Sequence, residues 1–206
     1  MTADTKDRLI DAAIAVLKAH GYGGTSARTI AKEAGVNSAL VFYHFGGVDP
    51  LLLAALDRSS AERMALHRAT VADVGTLEEL AEAATRIYRD DLEGGRITLF
   101  TELVAAAIAK PELREQVARR AEPWHQFIED TLERVIGGTP LARLTPPRDL
   151  ANAAITFYLG VNLFTVLDTD RSRTDSVFAM AQRLAPRARL LTMRLPSRRR
   201  SPRKSE

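Results

Sequence analysis

Few side chains in this 206-residue sequence are spaced for covalent chemistry. The four histidines, His20, His44, His67 and His125, form no His-x-x-x-His pair, and there is no cysteine. Disulfides, thiolate catalysis and cysteine-based zinc sites are thereby excluded. The glycines Gly21, Gly23 and Gly24 lie between helical stretches, without the strand-turn-helix context of a phosphate-binding loop. No Ser/His/Asp arrangement can be inferred, so the sequence predicts neither an enzyme nor a cofactor or metal site. A different chemistry is carried by the run from Asn37 to His44. Asn37 and Ser38 hold donors and acceptors suited to base edges or phosphates, and Ala39 is small enough to approach a thymine methyl.

That run needs a scaffold, and the spacing before it supplies one. Counting from Ala27, a small residue stands at position 5 (Ala31), glycine at position 9 (Gly35) and an apolar residue at position 15 (Val41). A helix-turn-helix requires these types at these places. The small residue lets the second helix pack close, glycine accepts the left-handed turn, and the apolar residue anchors the second helix in the core. Ile30, Ala34, Val36 and Phe45 complete that core. Before it, residues 4–19 place Leu9, Ile10, Ala13, Val16 and Leu17 on one helical face, ending at Gly21. Thr25 or Ser26 caps the second helix, which runs to Ala34, and Asn37 or Ser38 caps the third, which runs to His44.

The remainder is helical as well. Gly46-Gly47 breaks the third helix, and Asp49-Pro50 opens a long one to about residue 71. Thr76-Leu77-Glu78-Glu79 reads as a capping box, starting a helix that stops at Gly94-Gly95. Further helices are expected over 96–109, from Pro111 to Gly137-Gly138 with a kink or split at Pro123, from Pro146-Pro147 to about Leu167, and from Thr174 or Asp175 to about Met193. Asp168-Thr169-Asp170 is a loop, and residues 196–206 read as a disordered basic tail. The expected class is all-α, with about nine helices. The expected domains are a helix-turn-helix unit over 1–48, a larger ligand-binding and dimerisation domain over 49–195, and the tail.

The stretch from Gly21 to Phe45 resembles the N-terminal domain of TetR/AcrR-type transcriptional regulators. The likeness rests on Gly21-Tyr22, on Ile30-Ala31-x-x-Ala34-Gly35-Val36 and on the Tyr43-His44-Phe45 ending. It extends over residues 8–56, and Leu159-Gly160-Val161-Asn162-Leu163 resembles that family's penultimate helix. The resemblance implies a homodimeric regulator, most often a repressor, released from a palindromic double-stranded operator when a small molecule enters the larger domain. It places base and phosphate contacts at Arg28, Asn37, Ser38, Ala39, Tyr43 and His44; apolar contacts from Leu40 or Phe42 are expected beside them from the residues themselves. Leu40, Phe42 and Val48 depart from the family's common threonine, tyrosine and lysine. None of the three can donate to phosphate, so the salt dependence of operator binding is expected to be shallow.

In the larger part, aromatic residues lie among polar ones, the pattern of a small-molecule pocket. Tyr88, Phe100, Trp124, His125, Phe127, Tyr158 and Asn162 are its candidate lining. Phe157, Gly160, Val161 and Phe164, with Phe178, Ala181 and Leu184, give the last two long helices apolar faces for a four-helix dimer interface. The alternative reading is a helical dimeric interaction or ligand-carrier protein with weak or no specific DNA binding.

Composition fits a core-forming protein but does not itself argue for nucleic acid. The pI of about 9.4 arises from residues 183–206, where nine basic residues face one acidic. The rest of the chain holds 20 basic and 25 acidic residues. A polar N-terminus and the lack of an apolar run of membrane-spanning length predict a cytoplasmic protein without a membrane partner.

Overall fold

The computed structural model describes residues 2–168 and 170–192. The expected end of the last helix at Met193, the residue Thr169 and the tail over 196–206 lie outside them. The first three helices are α1 (Thr2–His20), α2 (Ala27–Ala34) and α3 (Ala39–Phe45). The others are α4 (Val48–Thr70), α5 (Leu77–Glu93), α6 (Thr98–Ala109), α7 (Pro111–Ile136), α8 (Pro140–Leu144), α9 (Pro147–Leu167), α10 (Ser172–Leu184) and α11 (Arg189–Thr192). A 3-10 turn, Ala185–Ala188, separates the last two, and no strand occurs among the described residues. The chain is all-α.

Local signals explain most boundaries. Ser26 caps α2 in a reciprocal box with Thr29, and Thr76 caps α5 with Glu79. The Asn37 carboxamide oxygen accepts from the Ala39 N–H at 2.8 Å, so Asn37, and not Ser38, supports the start of α3. Pro123 lies within α7, which runs continuously past it. Helix α8 follows a Thr139 cap with proline at its first position. Helix α10 begins at Ser172, earlier than expected, because Asp170 accepts from the Ser172 N–H and hydroxyl and Asp168 accepts from the Arg173 N–H. Pro186 lacks an N–H and coincides with the 3-10 turn that ends the long helix expected there.

Three apolar clusters hold these helices. The largest joins Leu9, Ala13 and Leu17 of α1, Ile30 and Ala34 of α2, and Val41 of α3. It continues through Leu51, Leu52, Ala55 and Leu56 of α4, Leu99 and Leu103 of α6, and Leu113 and Val117 of α7. The second gathers Val71, Val74, Ala83, Val135 and Ile136, and the third Tyr88, Val161 and Phe178. Helix α7 packs mainly against α9 and α6. Contrary to the expectation that no apolar run reaches membrane-spanning length, helix α9 is long and apolar enough, by length and composition, to cross a membrane, with a mean hydropathy of 1.6. It is the only helix that passes that test alone among the described residues.

Candidate nucleic-acid interface and effector cavity

Ala31 and Val41 are buried, and Gly35 closes α2 in the left-handed conformation at φ +64°. The Gly35 N–H reaches back to the carbonyls of Ala31 and Lys32. Arg8 of α1 covers the turn from below, with one guanidinium nitrogen 2.5 Å from the Ala34 carbonyl oxygen. These contacts fix α3 against α1, α2 and α4 and leave its other face in solvent. Arg28, Asn37, Ser38 and Ala39 are exposed, as are Phe42 at 58% and Tyr43 at 78%. His44 is half-buried between Tyr43 and Phe45, with ring centroids 4.9 and 6.5 Å away. Leu40 turns inward and packs against the main core.

A polar tie joins this unit to the rest of the chain. The Tyr22 hydroxyl donates to Asp49 at 2.6 Å, and the Lys110 ammonium donates to Tyr22 at 2.7 Å and to Asp49 at 3.1 Å. Both bonds push the Lys110 pKa up, and burial followed by the Asp49 bond raises that of the Tyr22 hydroxyl. The Tyr22 N–H also donates to Glu102 of α6 at 2.7 Å. Asp49 therefore faces Lys110, and its charge is locally compensated at the start of α4.

A cavity of about 220 Å³ lies between α4, α5, α7, α9 and α10. Its walls include Ile87, Trp124, Phe127, Leu132, Phe157 and Phe178, and its polar corner is formed by Arg63, His67 and Tyr158. Behind that corner Asp91 is fully buried. Arg63 donates to both Asp91 carboxylate oxygens, at 2.8 and 3.4 Å, and the Tyr158 hydroxyl donates to the same carboxylate. The Arg63 guanidinium lies 4.7 Å above the Trp124 ring. His67 Nε2 stands 3.3 Å from Asp91 but has no aligned hydrogen-bond partner. Burial would raise the Asp91 carboxyl. The His67 and Arg63 contacts, the Arg63 charge and the Tyr158 bond outweigh it and hold the group well below the usual carboxylate range. Burial, then the Asp91 charge, pushes the Tyr158 hydroxyl up.

Of the expected cavity residues, Trp124, Phe127 and Tyr158 line this space. Tyr88 backs it, stacked on Phe178 at 4.6 Å and bonded to Thr165. Asn162 is buried one turn along α9 from Tyr158 and donates to its carbonyl. Phe100 does not line the cavity and packs against the main core. His125 does not line it either, pairing with Asn152 at 3.2 Å. His67, one of the polar residues the sequence sets among these aromatics, lines the cavity, whereas Arg63 and Asp91 are not among the residues expected from the sequence. Glu122 stands three residues before His125, yet no group of three His, Cys, Asp or Glu able to hold a metal occurs among the described residues. Of the residues expected at a dimer interface, Val161 and Phe178 are buried within the chain, whereas Phe157, Phe164, Ala181 and Leu184 are exposed. Gly160 opens onto free space.

Residues 9–55 match the model for "Bacterial regulatory proteins, tetR family". The HTH-type transcriptional regulator CymR of Pseudomonas putida is 27% identical over 144 residues, 68% of this chain and 69% of that one. A solved TetR-family member from Streptomyces coelicolor A3 aligns with a TM-score of 0.62 at 28% identity, covering 88% of this chain and 98% of that chain. The multidrug binding protein EbrR, solved with imidazole, aligns at 0.61 and 29%, covering 87% and 89%. Residues 9–55 thus carry the helix-turn-helix of the tetR family of bacterial regulatory proteins, and the described residues share the all-helical architecture of solved DNA-binding regulators of that kind.

Proposed function

We propose that the chain is a ligand-responsive repressor that binds a palindromic operator as a homodimer and is released by a small molecule. The observation that carries this reading is the placement of α3: Ala31, Gly35 and Val41 fix its inner side, while Asn37, Ser38, Ala39, Phe42 and Tyr43 stand in solvent. A short helix presented this way can enter a major groove with its N-terminal end. Arg28 and His44 flank it as further contacts. On this reading residues 1–48 bind DNA, residues 49–195 bind effector and pair, and the tail over 196–206 is an appendage. The exposed apolar residues of α9 and α10, among them Leu163, Phe164 and Leu184, support pairing through those helices. The apolar cavity with its single polar corner supports effector binding, as does the likeness to a multidrug binding protein.

Fluorescence anisotropy of the full-length protein with duplex from the region upstream of its own gene tests the reading. Preferential binding over a shuffled duplex, lost in an Asn37→Ala/Tyr43→Ala variant, is the expected result. Equal affinity for both duplexes would leave the helical interaction or carrier protein as the better account.

A further inference from the structure

We propose that the cavity takes a compact, uncharged and mainly apolar effector with one hydroxyl or carbonyl group, and rejects carboxylates and amines of the same shape. This rests on the ligand-responsive reading and specifies its effector. The ion pair at the polar corner is already balanced. Arg63 and Asp91 cancel one another, with side chains 8% and 0% exposed. An incoming carboxylate would compete for Arg63, whose Nε and Nη2 are bonded to the two Asp91 oxygens and whose flat face lies on Trp124. One guanidinium shared by two carboxylates would leave a buried negative charge uncompensated. An incoming amine would need Asp91, whose oxygens already accept from Arg63 and Tyr158. Either ion would bring an uncompensated charge into a buried site, which is strongly disfavoured.

A polar atom is nevertheless left over. His67 is more than nine-tenths buried, lines the cavity, and has no aligned hydrogen-bond partner at Nε2. The Thr131 hydroxyl, the other small polar group in the wall, is committed to the Phe127 carbonyl at 2.8 Å. A hydroxyl or carbonyl reaching the corner would satisfy His67 without disturbing the ion pair. The volume of about 220 Å³ lies below the roughly 300–1,000 Å³ of drug-sized sites, so the ligand is compact.

Trp124 is the sole tryptophan of the sequence and stands in the cavity wall, so its emission reports occupancy. Full-length protein at pH 7 is titrated with 4-tert-butylbenzyl alcohol, 4-tert-butylbenzoate and 4-tert-butylbenzylamine, which share a shape and differ in charge. The alcohol is expected to bind at least about tenfold more tightly than either ion. In His67→Leu its advantage over 4-tert-butyltoluene should vanish while the hydrocarbon still binds. Tighter binding of the benzoate or the amine overturns the charge selection, as does silence from all three probes. Operator release is measured with the same probes. An alcohol that binds without releasing DNA refutes the ligand-responsive reading alone, and an ion that binds best and releases DNA refutes the effector class alone.

Discussion

Replacing Asp91 with asparagine isolates the energetics of the buried corner. The side chain keeps its shape but loses the charge that compensates Arg63. That guanidinium is 8% exposed and its partner is fully buried, so water cannot take over the lost interaction. Removing one member of a buried pair costs about 3–5 kcal/mol, because the other charge is stranded. For a chain of this size each kcal/mol moves Tm by roughly 2–4 °C, so the midpoint should fall by roughly 6–20 °C. Thermal melts followed by circular dichroism at pH 7 and fixed protein concentration measure it. A companion variant, Arg63→Met/Asp91→Leu, removes both charges and should recover most of the loss. The pH dependence has a definite sign. The folded carboxyl titrates below its unfolded value, so its stabilisation is complete above the unfolded pKa of about 4. It is lost as pH falls through the folded value. The gap between parent and Asp91→Asn should therefore narrow below about pH 4. A melting point within about 2 °C of the parent at pH 7, against the loss calculated from burial, would refute the claim that this corner is dry and charge-paired.

Other outcomes follow from the same geometry. Gly35→Ala places a Cβ at φ +64° and 3.2 Å from Arg8; it should cost about 1–2 kcal/mol in urea unfolding and weaken operator binding, and an unchanged midpoint would contradict the turn assignment. Lys110→Met removes the cation shared by Tyr22 and Asp49, and amide exchange at residues 21–25 and 48–52 should accelerate; unchanged protection would mean the tie is structurally idle. Phe164→Glu puts a charge on the apolar face of α9, where Phe164 is 66% exposed in the single chain. Light scattering should show the dimer dissociation constant rising by roughly a hundredfold or more, and a persistent dimer at nanomolar concentration would place the interface elsewhere. Because Leu40, Phe42 and Val48 donate nothing to phosphate, protein lacking residues 196–206 should show a shallow dependence of operator affinity on salt; a steep one would reject that view.

The helix-turn-helix was legible because its requirements are local. Ala31, Gly35 and Val41 lie within one short window, and each has a steric reason to be there. The capping box at Thr76 was equally readable, since its bonds span three residues. The polar corner was not, because Arg63 and Asp91 stand on different helices and each looks like an ordinary surface charge. A signal did exist. Arg63 and His67 continue the buried stripe of Leu52 and Leu56 at helical spacing, and charge on such a stripe needs an internal partner. Aromatic composition located the cavity only in part. Phe100 has the same composition signal as Trp124, but α6 directs it to the main core. The start of α10 depended on aspartates outside the helix, Asp168 and Asp170, which cap residues later in sequence.

Helix α4 is where the proposed effector response and the proposed DNA contact meet. Its first turn holds Asp49, bonded to Tyr22 and Lys110. Its first half is held to α1 by Arg58, which pairs with Asp7 and Asp11, and packs into the main core through Leu51, Leu52 and Ala55, all fully buried. Its second half delivers Arg63 and His67 to the cavity. Close-packed contacts of the first kind do not deform continuously, so a displacement of α4 carries α1, α2 and α3 with it. Fourteen residues separate Asp49 from Arg63, about 21 Å along the axis. A tilt of about 5° at the cavity end then moves the other end by on the order of 2 Å, given that rise per residue. In a dimer that displacement occurs twice, and two recognition helices must match half-sites about one helical turn apart. An effector that prefers the tilted arrangement would lower operator affinity without touching α3, and one that binds both arrangements equally would change nothing.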